Sequence, residues 1–254
     1  TAWMFAGALS FNQNIGIWNV KSVRHMEYMF ASAVSFNQDI GNWDVFDVVN
    51  MTAMFAGATS FNQNIGRWRV NYVTDMSRMF YKAYSFNQDL SKWEVKRVRK
   101  MNSMFKQATS FNQDISKWNV RWVTTMDSMF AYSPMFNQDI GNWNVSKVTD
   151  MGRMFYNAAA FNQDLSKWNL SSLDSAQQMF DADIDKGMSC KNIGLTLQGW
   201  STNPNTPSNL VLGVGNRRYP IAIQEALNRM EVDLGWNFVG FEGVCDPVAV
   251  EDIK

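Results

Sequence analysis

The pair Met-Phe recurs at Met4-Phe5, Met29-Phe30, Met54-Phe55, Met79-Phe80, Met104-Phe105, Met129-Phe130, Met154-Phe155 and Met179-Phe180, always 25 residues apart with no insertion. Phe-Asn-Gln keeps the same step from Phe11 to Phe161, and a tryptophan follows each copy, from Trp18 to Trp168. A fixed period of 20–50 residues is the signature of an array whose units cannot bury their apolar faces alone and offer them to neighbours. An unvarying period means coils of one length, which excludes a single globular core closed by long-range pairing.

One unit, written from Val20, reads Val, x, x, Val, x, x, Met, x, x, Met-Phe, x, x, Ala, x, x, Phe-Asn-Gln-Asp/Asn-Ile/Leu, Gly/Ser, x, Trp. From Val23 the apolar positions are Val23, Met26, Met29, Phe30 and Ala33. Steps of three and four predict one inward stripe of a helix of about three turns. The alternation over Phe36 to Ile40 and Trp43 to Val45 predicts short strands joined by the Gly/Ser turn. Stacked units would pair these strands in parallel at about 4.8 Å, giving a rod on the order of 35 Å for seven units.

The string Met-Phe-x-x-Ala-x-x-Phe-Asn-Gln-Asp-Ile-x-x-Trp-Asn-Val-x-x-Val-Thr-Asp-Met, nearly intact from Met129 to Met151, resembles the 25-residue repeat of BspA-like leucine-rich-repeat surface proteins. That repeat also occurs in mycoplasma surface lipoproteins and in some protists and algae. The stretch Tyr219 to Gly240, with Gly235-Trp236-Asn237-Phe238, is similar to the helix-and-strand cap that closes such arrays. The fold expected is therefore α/β: a leucine-rich-repeat-like solenoid of about seven coils over residues 1–185, then a C-terminal cap over 186–254. A helix near 220–232 and a terminal strand are expected in the cap. The eighth unit departs from the pattern, with Ala176 in a methionine slot and Lys186 where Phe-Asn-Gln should begin, as decay toward a cap would require. The resemblance implies a secreted or surface-anchored binding protein without catalysis, in some members an adhesin.

Residues repeated in every coil are first of all packing. Seven aligned tryptophans would suit a carbohydrate-stacking strip, but stacked identical units need such a column in the core. The repeated Asn and Gln amides are expected to form ladders that satisfy the turn backbone. Asp39, Asp89, Asp114, Asp139 and Asp164 share one column with Asn14 and Asn64, three residues before Arg67, Lys92, Lys117 and Lys167. Compensation plus turn hydrogen bonds is the expected reading, and calcium between coils the alternative. No metal site or cofactor is otherwise expected.

Catalysis has few parts available. The chain has one histidine, His25, two cysteines, and no phosphate-binding glycine loop or zinc spacing. Its 23 basic side chains cancel 23 acidic ones, and charged residues are only 18% of the total. A near-neutral molecule has no general attraction to nucleic acid or anionic membrane. No apolar run approaches the ~18 residues of a membrane span.

Function is expected where copies differ. The fourth unit gathers Lys92, Lys96, Arg97, Arg99, Lys100 and Lys106 against Asp89 and Glu94, a basic belt suited to sulfated or carboxylated polysaccharide. Tyr72, Tyr81, Trp122, Tyr132 and Tyr156 are aromatics in variable slots that would count only as a contiguous patch. The partner expected is an extracellular protein or acidic polysaccharide. The other reading is a structural subunit of a filament, coat or sheath. Thr1 falls in the slot of Met26, so the N-terminal face is expected to meet further repeats or another subunit. An extracellular setting is expected from acceptor sequons at Asn50, Asn144 and Asn169 and from a Cys190–Cys245 bridge pinning the cap. Closing that 55-residue loop would contribute roughly 4 kcal/mol.

Overall fold

The computed structural model describes residues 1–245, so positions 246–254 of the expected cap lie outside the described residues. Residues 1–189 form a stacked solenoid built almost wholly of turns, with neither an α-helix nor a multi-residue strand. The helix expected in each unit is absent, and so are strands over Phe36–Ile40 and Trp43–Val45. Pairing between coils instead follows a column of isolated parallel bridges through His25, Asn50, Asp75, Lys100, Thr125, Asp150 and Ser175.

Hydrogen bonding explains the difference. The N–H groups of Met26, Tyr28, Phe30 and Ser32 donate to the carbonyls of Asn50, Thr52, Met54 and Ala56 in the next coil, at 2.6–3.1 Å. Each later coil repeats these four bonds at the same slots, ending with Met151, Arg153, Phe155 and Asn157. The alternate N–H groups close turns within the coil, Met29 to Met26, Ala31 to Tyr28 and Ala33 to Phe30. A helix would send these donors back along its own chain, four residues earlier. The i, i+3 apolar spacing is real, but it belongs to a run of turns.

Two of those turns demand a left-handed residue at their third position, the requirement of type II turns. Tyr28, Ala53, Arg78, Ser103, Ser128, Arg153 and Gln178 fill the first such slot with φ of 52–58°, and Trp3 fills it at 63°. Ser32, Lys82, Gln107, Tyr132 and Asn157 fill the second, which Gly57 also occupies at φ 73°. A non-glycine residue in that conformation costs about 1–2 kcal/mol. The cost recurs in each coil and is offset by the ladder and by the core beneath it.

That core consists of columns. Phe30, Phe55, Phe80, Phe105, Phe130 and Phe155 stack in succession at 5.6–5.9 Å between ring centroids, save 5.5 Å for Phe80 and Phe105. Each pairs within its unit with the phenylalanine of Phe-Asn-Gln, as Phe30 does with Phe36 at 4.0 Å. From Trp43 to Trp168 the tryptophans are buried, and each indole N–H donates to the previous coil's Ile or Leu carbonyl, as Trp43 does to Ile15 at 3.1 Å. The tryptophan column is therefore structural. In the Ala33 slot, Ser133 is buried too and satisfies its hydroxyl on the Phe105 carbonyl.

The expected amide ladder is present, but it alternates between residue types. Asn37 Oδ1 accepts the backbone N–H of Asn62 at 2.9 Å and Gln63 Nε2 at 3.0 Å, so asparagine serves the next coil's Asn and Gln together.

The last coil is covered by elements that reproduce its missing neighbour. Helix α1 (Cys190–Thr202) is capped by Ser189, whose hydroxyl accepts from Asn192 N–H. Asn192 takes the glutamine's place on Asn162, and Trp200 donates to the Leu165 carbonyl as the next tryptophan would. Strand β1 (Val211–Tyr219) supplies the other half, with Phe180 N–H donating to Gly213 at 3.0 Å. Gly213 has to lack a side chain, because a Cβ there would lie 2.2 Å from the Gln178 backbone. A 3-10 turn (Ile221–Ile223), α2 (Gln224–Asn228) and a π-helical turn (Arg229–Asp233) then lead to β2 (Asn237–Val244), parallel to β1. Buried Arg217 knits this cover to the last coil, donating to the carbonyls of Ala182, Asp183 and Lys186. Cys190 and Cys245 form the disulfide, joining the start of α1 to the residue after β2.

Two outcomes follow for stability. Gln107→Gly should stabilise the chain by about 1 kcal/mol by relieving its left-handed strain, whereas Gln107→Val should destabilise it, as denaturant unfolding will show. Reducing the disulfide should remove up to roughly 4 kcal/mol and expose the cap first, detected as faster amide exchange in β1 than in the Phe columns.

Candidate binding face

Each Val-x-x-Val segment closes a turn, as Val98 N–H donates to Val95 at 2.9 Å and Val123 N–H to Val120 at 2.9 Å. The valines point inward and are buried. The two residues between them form a tip aimed at solvent, and one slot lines up along the stack: Ser22, Asp47, Tyr72, Arg97, Trp122, Lys147, Ser172. The slot two residues beyond is held by backbone bonds, with Arg99 N–H donating to Thr74 and Thr124 N–H to Arg99, each at 2.8 Å.

Tip side chains from successive coils touch. The Arg69 guanidinium lies over Phe46 at 4.5 Å, Phe46 meets Tyr72 edge-on at 5.0 Å, and Arg97 lies over Tyr72 at 4.6 Å. Arg99 and Arg121 each lie 5.0 Å from the Trp122 centroid, and Lys147 Nζ lies 3.6 Å from it. Five of the six cation–aromatic contacts among the described residues fall on this face. Arg69 pairs with Asp44 at 3.2 Å and Lys96 with Glu94 at 3.0 Å, both in exposed positions where such pairs contribute little. Among the described residues, Arg97, Arg99, Arg121 and Lys147 have no carboxylate partner within 4 Å.

The residues marked in the sequence divide between two regions. Lys96, Arg97, Arg99 and Trp122 belong to this face. Lys100 sits in the bridge column and pairs with Asp75 at 3.6 Å. Tyr81, Lys106, Tyr132 and Tyr156 lie on the left-handed turns, where Tyr132 and Tyr156 meet edge-on at 5.2 Å. The neighbouring Tyr132 phenol raises that of Tyr156 above its usual range. Asn144 and Asn169 flank the tip face in one shared slot, and their Oδ1 atoms accept the N–H of Ser146 and Ser171. Asn50 lies in the bridge column and accepts from Thr52. Phe46, Arg69, Arg121 and Lys147 were missed in the sequence; the 25-residue step finds Lys147 from Arg97 and finds Phe46 and Arg121 from Lys96, while Arg69 shares the slot of Glu94 and joins the face only through its contact with Phe46.

The aspartate column is engaged locally. Asp39, Asp89, Asp114, Asp139 and Asp164 each accept the N–H two residues on, at 2.8–2.9 Å. Among the described residues no three His, Cys, Asp or Glu side chains are grouped to hold a metal ion. The Ser91 hydroxyl, then its N–H, holds the Asp89 carboxyl below its usual range, and Ser116 does the same for Asp114. Asn14 and Asn64 make the same bond without charge, to Gly16 and Gly66.

Carboxyls depressed in the folded state stabilise it fully above their unfolded pKa of about 3.9 and stop doing so as pH falls through the lower folded value. Asp89→Asn with Asp114→Asn should therefore lower the Tm slightly at pH 7, where the charged acceptors stabilise the fold, and flatten its fall below about pH 4. Thermal melts across that range test this.

A turn-built repeat solenoid with a constant core and a variable outer face defines a repeat protein. The family model described as "Mycoplasma protein of unknown function, DUF285" matches residues 1–110 and 85–188, and the chain belongs to that family. No curated protein matches the chain. Among solved structures, an internalin from Listeria monocytogenes aligns over 93% of this chain and 82% of its own, at 8% identity and a TM-score of 0.30. A likeness that loose carries no argument about function.

Proposed function

We propose that this chain is a non-catalytic recognition protein of the leucine-rich-repeat, BspA-like type, acting outside the cell or at its surface. It engages protein or polysaccharide through the tips of the Val-x-x-Val turns. The observation that carries this reading is the contrast between slots. The Phe, Trp and Val columns are the same in nearly every coil, while the tip slot changes from Asp47 to Tyr72, Arg97, Trp122 and Lys147. A face free of packing duty that nonetheless gathers aromatics and unpaired cations is suited to a ligand. The lone histidine, His25, sits exposed beside Glu27 at 3.5 Å, away from the tip slots.

The test is to replace Tyr72, Arg97, Trp122 and Lys147 together with serine, which tips at Ser22 and Ser172 already carry. The variant should keep the circular dichroism and Tm of the parent. It should lose the ligands that the parent captures on arrays of glycans and extracellular-matrix proteins. Equal capture by both proteins would refute the reading.

A further inference from the structure

Resting on that reading, we propose that the ligand is an anionic polysaccharide, bearing sulfate or carboxylate groups, held by Arg97, Arg99, Arg121 and Lys147 around Trp122. Three cationic groups converge within 5.0 Å of one indole centroid. Like charges drawn this close repel one another, and the electron-rich ring face offsets part of that repulsion. No carboxylate among the described residues completes the cluster: the pairs present serve Arg69 and Lys96, leaving these four cations uncompensated. Asp47 and Asp174, acidic occupants of the same two slots, stand two coils before Arg97 and two coils beyond Trp122. The arrangement is a preorganised cation cluster lacking its anion.

The same geometry selects against other ligands. Neutral sugars and unpaired nucleic-acid bases stack on bare aromatic faces. Here cations lie over both rings, Arg97 over Tyr72 and three groups over Trp122. An acidic peptide adding as a strand needs an open backbone edge. Along these slots the N–H groups of Thr74, Arg99, Thr124 and Thr149 already donate to the preceding coil, as do the hydroxyls of the three threonines. What remains is side-chain donors spread over three coils, about 10 Å at the usual strand spacing, which matches one extended disaccharide. Guanidinium groups there can grip sulfate or carboxylate through two parallel hydrogen bonds.

Binding of the full chain should be measured by calorimetry against a heparin oligosaccharide, oligogalacturonate, uncharged dextran, oligo-dT and polyglutamate. Heparin or oligogalacturonate should bind, weakening as salt rises, and the stronger of the two identifies sulfate or carboxylate as the preferred group. Arg97→Ser with Lys147→Ser should weaken that binding by about tenfold or more, while Lys92→Ser with Lys117→Ser, the same charge change on the aspartate turns, should not. Trp122→Leu should weaken binding with all four cations retained, and Trp122→Phe should restore most of it, as a positioning role requires. An equal effect of the two lysine-containing pairs, or tighter binding of oligo-dT or polyglutamate, would overturn the proposal. Dextran bound by the parent and lost in the serine tip variant would overturn the anionic ligand alone, leaving the recognition face standing. Ligands held equally by that variant would overturn both.

Discussion

Every second peptide group between slots 25 and 32 of a coil is directed along the stack, its carbonyl toward the preceding coil and its N–H toward the following one. Everything else in residues 1–189 depends on this. Four such bonds per interface fix the rise, and the intervening peptides, released from that duty, fold the chain back on itself in turns. Backbone donors and acceptors are thereby satisfied without a helix or an extended strand, meeting the demand that buried peptide groups be paired. The left-handed residues are the local cost of aiming alternate peptides in one direction. Because the bonds join equivalent slots, the side chains above them fall into register as columns of Phe, Trp, Met and Val.

The repeat itself, its length and its inward residues were legible in the sequence, because a column has to hold the same residue in every coil to stack. Secondary structure was not. Met26, Met29, Phe30 and Ala33 have the spacing of a helix face, and consecutive three-residue turns present the same spacing. The clue lay in the other slots, where Tyr28, Ala53, Arg78 and Ser103 share a left-handed φ but have no chemistry in common that announces it. Glycine would have signalled the turns, and it stands in the second slot only at Gly7 and Gly57. Helix α1 was hidden for a different reason: its Trp200 and Asn192 imitate a coil's bonds at a spacing unlike the repeat's.

Half of the candidate site could be read from chain-local charge. The run Lys96, Arg97, Arg99 and Lys100 is conspicuous, and the structure keeps three of its members on the tip face while Lys100 turns to Asp75. Phe46, Arg121 and Lys147 look unremarkable one at a time. They matter only because a solenoid sets residues 25 apart side by side, so the patch runs across the stack and not along the chain. Tyr81, Lys106, Tyr132 and Tyr156 also looked like candidates, yet they belong to a separate surface.

The unbroken 25-residue register also governs how a gene for such a chain can change. A coil corresponds to 25 × 3 = 75 nucleotides, so tandem duplication or deletion of that length adds or removes one complete layer with its ladder, columns and tip intact. A single extra codon inside a coil would lengthen that coil alone and put its own donors and acceptors out of line with the coils on either side. Variation in copy number is thus tolerated where small insertions are not, and each gained or lost layer changes the outer strip of tip residues by one rung. A lineage carrying this architecture can adjust the reach of its surface by recombination between repeats, without evolving a new core.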